Sequence, residues 1–115
     1  MNSQIRFTET PDGWLDAQTG LEWGKTIGKF SWEDACAAVP PGWRLPTIAE
    51  LATIVDWSIH SPATELPDTQ SGYYWSSTSN AYNPTYAWYV YFGNGTVDGN
   101  YKSTTNYVRG VRSGL

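Results

Sequence analysis

Few side chains in this sequence have the means to do chemistry. There is a single histidine, His60, and a single cysteine, Cys36. His60 has no second His, Cys or close carboxylate pair at metal-ligand spacing, so exposure to solvent is expected. Cys36 has no internal partner for a disulfide. A reactive thiol needs a base or a cation beside it, and its neighbours Trp32-Glu33-Asp34-Ala35 and Ala37-Ala38-Val39 offer no cation; a small buried core residue is the expectation. Asp56, Glu65 and Asp68 could meet in a pocket, although loop carboxylates are usually solvated. Asp98-Gly99-Asn100 is too sparse for a calcium site. One histidine cannot be built into a Ser-His-Asp order, and there is no His-Glu-x-x-His and no phosphate loop. No catalytic residue, no metal ligand and no cofactor is therefore expected.

The elements that would position any site can be read along the chain. Trp14, Leu15, Leu21 and Trp23 supply apolar surface to two short strands joined by a turn, where Gly20 suits a positive φ. Ser31 is placed to N-cap a helix from Trp32 to about Val39, with Glu33 and Asp34 in its first turn. Pro40-Pro41-Gly42 stops it. Thr47-Ile48-Ala49-Glu50 is a capping box opening a second helix, which assigns Glu50 to a cap rather than to catalysis. Ile48, Leu51, Ala52 and Val55 recur at helical spacing. Residues 56–72 read as a long polar loop. Strand signal follows from Tyr73. Trp88, Val90 and Phe92 alternate with Tyr89 and Tyr91, which predicts the first set inward and the second outward. Gly93-Asn94-Gly95 is a tight turn. Residues 107–112 read as the last strand, with Tyr107, Arg109 and Val111 on one face and Val108, Gly110 and Arg112 on the other. The expected fold is a single α+β domain over residues 1–115, two helices followed by a mostly antiparallel sheet.

The chain has 115 residues and a net charge of −4. Residues 1–70 carry ten acids against four bases, while residues 71–115 carry Asp98 against Lys102, Arg109 and Arg112. Three bases are too few for a nucleic-acid footprint. Those arginines and Arg44 are expected to pair with carboxylates or stack on rings. No run is long enough to insert in a membrane, and the N-terminus lacks a signal-peptide pattern. The expected setting is cytoplasmic or virion-associated, or a segment of something longer.

Composition is most informative in the final third. All eight tyrosines follow Ser71, and six of the seven tryptophans lie at or before Trp75. From Tyr74 on, a frame of Trp75, Trp88, Val90, Phe92, Gly95, Val97, Lys102, Val108, Arg109, Val111 and Arg112 is interleaved with Tyr, Asn, Ser, Thr and Gly. Such residues build antibody-type binding surfaces, combining rigid rings with small adaptable hydrogen-bonders. Recognition rather than catalysis is the reading.

Four blocks occur in order: Thr19-Gly20-Leu21-Glu22-Trp23; Ser31-Trp32-Glu33-Asp34-Ala35-Cys36; Gly42-Trp43-Arg44-Leu45-Pro46-Thr47; and Tyr74-Trp75-Ser76-Ser77-Thr78 through Ala87-Trp88 to Val108-Arg109-Gly110-Val111-Arg112. Over roughly residues 12–112 they resemble the Lcl C-terminal domain family, named for the closing domain of a collagen-like adhesin. The resemblance implies a C-type-lectin-like fold, a binding scaffold whose sheet face is presented to partners. Secreted relatives commonly have a second cysteine where this chain has Gly110, and the missing bridge to Cys36 fits a reducing or non-secretory origin. The family's glycosaminoglycan ligand is not carried over to so acidic a chain. The calcium-dependent lectin signature is absent. The fold family is also similar to the formylglycine-generating oxidase, but that chemistry needs paired thiols.

The segment 74–112 further resembles the variable region of a diversity-generating retroelement target. There, adenines in Asn codons are mutated, which reaches Tyr, Ser, Thr, Asp, Gly and His but never Lys, Glu, Gln, Met or Trp. From Ser76 to Arg112 the unreachable types occur only at Trp88 and Lys102, both in the frame. The resemblance implies variation at Asn80, Tyr82, Asn83, Tyr89, Tyr91, Asn94, Thr96, Asp98, Asn100, Tyr101, Ser103, Thr104, Thr105 and Asn106, the candidate ligand-binding residues, and at Gly93 and Gly99. The simpler account of the same stretch is an exposed sheet face rich in Tyr and Thr because strands favour them. The expected partner is a protein or glycan ligand. A fixed-specificity adhesin or carbohydrate-binding domain, and a structural virion or surface domain forming a homo-oligomer, are the alternatives.

Overall fold

A computed structural model describes residues 5–114. The elements are β1 (Phe7–Glu9), β2 (Gly13–Asp16), β3 (Leu21–Phe30), α1 (Trp32–Ala38), α2 (Ile48–Thr53), β4 (Tyr73–Ser79), β5 (Tyr86–Tyr91), β6 (Thr96–Tyr101) and β7 (Asn106–Ser113). They form an α+β domain with one seven-stranded sheet in the order β1-β2-β3-β7-β4-β5-β6. Every strand pair is antiparallel except β4 with β7. The sheet is not all downstream of the helices: β1, β2 and β3 precede them, and β3 pairs with β7, so strands from before and after the helices share one sheet.

Local chemistry sets the element boundaries. Ser31 Oγ accepts from the Asp34 amide and opens α1. At α2 the capping box is complete: Thr47 Oγ1 accepts from the Glu50 amide, and the Glu50 carboxylate accepts from the Thr47 amide. Glu50 is also clamped by Nη1 and Nη2 of Arg44, which donate to its two carboxylate oxygens at 2.6 and 2.7 Å. Gly20 turns β2 into β3 at φ 77°, in the left-handed region that glycine enters without penalty.

Helices cover both faces of the sheet. On one face Tyr74, Val90, Phe92, Trp23 and Val111 pack with Leu51 of α2 and with Ile54, Val55 and Leu66 from the segment after it. On the other, Trp75, Ala87 and Val108 pack with Ala35 of α1 and with Leu45. Residues 56–72 are irregular, as expected, yet Ala63, Thr64 and Leu66 are buried, so this loop is part of the core.

The last strand follows the expected alternation: Tyr107 and Val111 join the α2-side cluster, while Val108 and Gly110 face α1. Between Tyr107 and Val111, Arg109 is almost fully buried. Its guanidinium donates to the carbonyls of Gly24 and Pro67 and to Thr69 Oγ1, and it lies near the rings of Trp14 and Tyr74. Burial pushes its pKa down to about 10, so it remains charged at neutral pH. Arg112 pairs with Glu22 and Asp12 and lies over the Trp43 ring. All three arginines thus hold structure together.

Cys36 and Trp88 depart from the burial expected of them. Cys36 is exposed, because the buried contact of α1 is made by Ala35. Trp88 is only half-buried: it shares a face with Val90 but lies opposite Gly99, which offers it no side chain to pack on.

Candidate functional site

The candidate residues fall at the β4–β5–β6 end of the sheet, where α1 stops covering one face. In an antiparallel pair, directly opposed residues share a face. The register sets Tyr73 opposite Tyr91 and Trp75 opposite Tyr89 on β4–β5, then Tyr91 opposite Thr96 and Tyr89 opposite Asp98 on β5–β6. Beyond the buried Trp75, the α1 side of the sheet therefore ends in a surface of Tyr73, Tyr89, Tyr91, Thr96 and Asp98.

Three rings form its centre. Tyr73 stacks on Tyr91 with centroids 4.6 Å apart and meets Tyr89 edge-on at 4.9 Å. Tyr73 is 42% exposed. Tyr89 and Tyr91 are half-buried, so neither is purely outward; Tyr89 also packs against the cluster beneath α1. Burial, then the Asp98 carboxylate and Tyr73, push the Tyr89 phenol up, which keeps it a neutral hydrogen-bonder at neutral pH.

Tyr101 is on the opposite face. It pairs with Tyr86, ring centroids 4.4 Å apart, and their hydroxyl hydrogen bond raises the Tyr86 phenol. The candidate set is thus split between two sides of one hairpin.

The asparagines are mostly engaged in their own turns. Asn80 Oδ1 accepts from the amides of Tyr82 and Asn83. Asn83 Oδ1 accepts from Thr85 and Asn94 Oδ1 from Thr96, in each case from both amide and hydroxyl. Asn100 Oδ1 accepts from the Tyr101 amide. Those of Asn80, Asn83 and Asn94 are Asx-type turns, in which the side chain stands in for backbone, whereas Asn100 lies within β6 and bonds the amide of the next residue. Tyr82, on the Asn80 turn, is 99% exposed.

Ser103, Thr104 and Thr105 form the β6–β7 connection, with Ser103 and Thr105 exposed. Lys102 anchors it: Nζ donates to Ser79 Oγ at 2.7 Å and sits over the Trp32 ring at 4.3 Å, and its carbonyl accepts from the Trp32 amide. Asn106 departs from the outward expectation. It is 3% exposed, because it opens β7 between β3 and β4 rather than on a free edge.

Reading the sequence missed Tyr73, Tyr86 and Lys29 as surface contributors. Tyr73 had a usable signal: it is two residues before Trp75 on the same strand, hence on the same face. Lys29 is far away in sequence and reaches this end only because β3 pairs with β7, where Lys29 is opposite Tyr107.

The residues with chemical means do not gather. His60 is exposed. Asp56 and Glu65 line one shallow cavity with Arg6 and Trp57, whereas Asp68 is elsewhere, accepting from the Thr26 amide. Lys102 is close enough to Cys36 to favour the thiolate, but partial burial of the sulfur and Glu33 push the thiol up on balance. Among the described residues no group of three or more His, Cys, Asp or Glu side chains could hold a metal ion, and no helix is long and apolar enough to cross a membrane.

No curated protein matches the chain. The family model described as the Lcl C-terminal domain matches residues 13–112, which run from the start of β2 almost to the end of β7 and take in both helices and the tyrosine-bearing hairpin. The chain belongs to the Lcl C-terminal domain family.

Proposed function

We propose that this domain is a ligand-recognition module of C-type-lectin type, whose β4–β5–β6 end and adjoining loops form a binding surface diversified by a retroelement. The observation that carries the reading is that fourteen of the sixteen positions expected to vary are exposed or half-buried. Of the sixteen, Tyr82, Asn83, Asn94, Thr96, Asp98, Tyr101, Ser103 and Thr105 are exposed, Asn80, Tyr89, Tyr91, Gly99, Asn100 and Thr104 are half-buried, and Gly93 and Asn106 are the two buried exceptions. Of the two unreachable types, Lys102 is tied to Ser79 and Trp32, and Trp88 is half-buried. Substitution at exposed positions usually changes stability little, so such a surface can vary while the core persists. The domain acts by binding a protein or glycan, without catalysis and without nucleic acid.

One observation favours the second reading, a fixed binding surface. Asn80, Asn83 and Asn94 hold their own turns, a local reason for asparagine that needs no mutagenic template.

Sequencing the gene's neighbourhood separates the two. Diversification requires a near-copy of the segment coding 74–112, with Asn codons at the variable positions, beside a reverse transcriptase. A neighbourhood with neither returns the domain to fixed specificity.

A further inference from the structure

The sheet ends in β6, with no strand beyond it among the described residues. An edge strand presents a row of unpaired amides and carbonyls, a template on which another strand can add. The register fixes which groups of β6 face that edge, because successive residues of a strand turn their amides to alternate sides. The Lys102 amide donates to the Thr85 carbonyl and so points towards β5. Counting back in steps of two, Asn100 and Asp98 point the same way, while Tyr101, Gly99 and Val97 turn their amides and carbonyls to the open edge.

Several of those outward groups are already taken. Asp98 Oδ1 accepts from the Gly99 amide at 2.7 Å, and Asn100 Oδ1 accepts from the Tyr101 amide at 3.0 Å. Thr104 Oγ1 reaches the same Asn100 oxygen at 3.4 Å. The Tyr101 carbonyl accepts from the Thr104 amide at 2.9 Å as the chain turns away. Without these caps the edge would suit pairing. Val97 is 39% exposed and Tyr101 is 56% exposed, and β-branched and aromatic residues are the types that strands favour.

We propose that Asp98 and Asn100 seal the β6 edge against strand addition by a second copy of this chain. A second copy fits the edge with no further surface, because two β6 strands laid antiparallel about a two-fold axis bring the same row to each other. Such a pair needs the Gly99 and Tyr101 amides, and each must first give up its side-chain acceptor. Asp98 also sets a negative charge beside the edge of a chain that carries −4. The seal goes beyond the binding-surface reading and constrains it. Both residues are among the positions expected to vary, yet only a side chain with an acceptor oxygen in reach of the next amide keeps the edge closed. A tyrosine there carries its oxygen too far out.

The test is the oligomeric state of the whole chain, measured by light scattering over a wide range of concentration. The parent should stay monomeric. Asp98→Ala with Asn100→Ala should strengthen self-association about tenfold or more, since two amides are freed. Asp98→Asn keeps the acceptor without the charge and should stay as closed as the parent. Hydrogen exchange by NMR reads the caps directly in the parent, whether or not the variants fold. Relative to intrinsic rates, the Gly99 and Tyr101 amides should exchange more slowly than the outward Val97 amide, for which no side chain provides a cap. The seal is overturned if the double variant remains monomeric, if Asp98→Asn associates as strongly as the double variant, if the parent itself pairs through β6, or if the Gly99 and Tyr101 amides exchange as freely as that of Val97. The search for a template repeat is unaffected by any of these outcomes.

Discussion

Tyr73 and Tyr91 stack across the β4–β5 pair, ring centroids 4.6 Å apart at 29°, at the end of the sheet that α1 leaves uncovered. An aromatic pair of this kind contributes about 0.5–1.5 kcal/mol beyond the area it buries. Replacing both by alanine should therefore lower stability by only about 1–2 kcal/mol while removing ligand binding. Urea unfolding with an unchanged slope and a modestly lower midpoint is the expected result. Loss of cooperative folding would make these rings core rather than binding surface.

What could be read from the sequence was what is local. The Thr47–Glu50 box spans four residues and depends only on backbone donors, so its reading survived intact. The period-2 pattern of β5 correctly buried Val90 and Phe92. It misplaced Tyr89 because alternation names a face but not what covers that face, and here both faces carry helices. Asn106 looked like one more loop asparagine. Its burial comes from the strand order, which sets β7 between β3 and β4, and no short-range pattern reports a strand order. Cys36 failed for a similar reason: a seven-residue helix buries one narrow stripe, and tertiary packing chose Ala35 for it.

The tryptophans should divide by burial. Trp75 is 1% exposed and its Nε1 donates to the Phe30 carbonyl, so Trp75→Ala should cost about 3–5 kcal/mol. Trp43 and Trp88 are half-buried, and each alanine variant should cost about 1–2 kcal/mol, less than a full core truncation. Thermal or urea unfolding ranks the three directly. Equal losses would mean that the exposed faces of Trp43 and Trp88 are covered in solution.

Gly93 is coupled to the binding surface. A side chain there would meet the far end of the Tyr91 ring, which is flexible enough to swing away. Gly93→Ser should therefore cost little stability, about 1 kcal/mol or less, but unstack Tyr91 from Tyr73. The near-ultraviolet circular dichroism of the tyrosines should change while the far-ultraviolet spectrum does not. Gly95 is the contrasting position: at φ 88°, with Val55 and the Trp57 ring in the way, Gly95→Ala should lower the melting midpoint clearly.

Acid should unfold the domain through carboxylates that fasten its first strands and second helix. Burial raises the Asp16 carboxyl, but hydrogen bonds from Arg6, Thr19 and the Gln18 amide outweigh it and leave its pKa below the usual 3.8. The Arg112 guanidinium, with help from Thr10, lowers Glu22, and the Arg44 guanidinium lowers Glu50, both from 4.5. In each case the folded state binds protons less readily than the unfolded chain. The stabilisation is therefore complete above about pH 4.5 and is lost as pH falls through the depressed values. Urea midpoints should be flat from pH 7 to pH 5 and drop steeply towards pH 3. Glu50→Gln keeps a polar cap but gives up the charge facing Arg44, so it should lose about 0.5–1 kcal/mol at pH 7, the range for a partly exposed pair, and lose less than the parent on acidification. A Glu50→Gln protein with the same acid slope as the parent would show that the Arg44–Glu50 clamp does not form in solution.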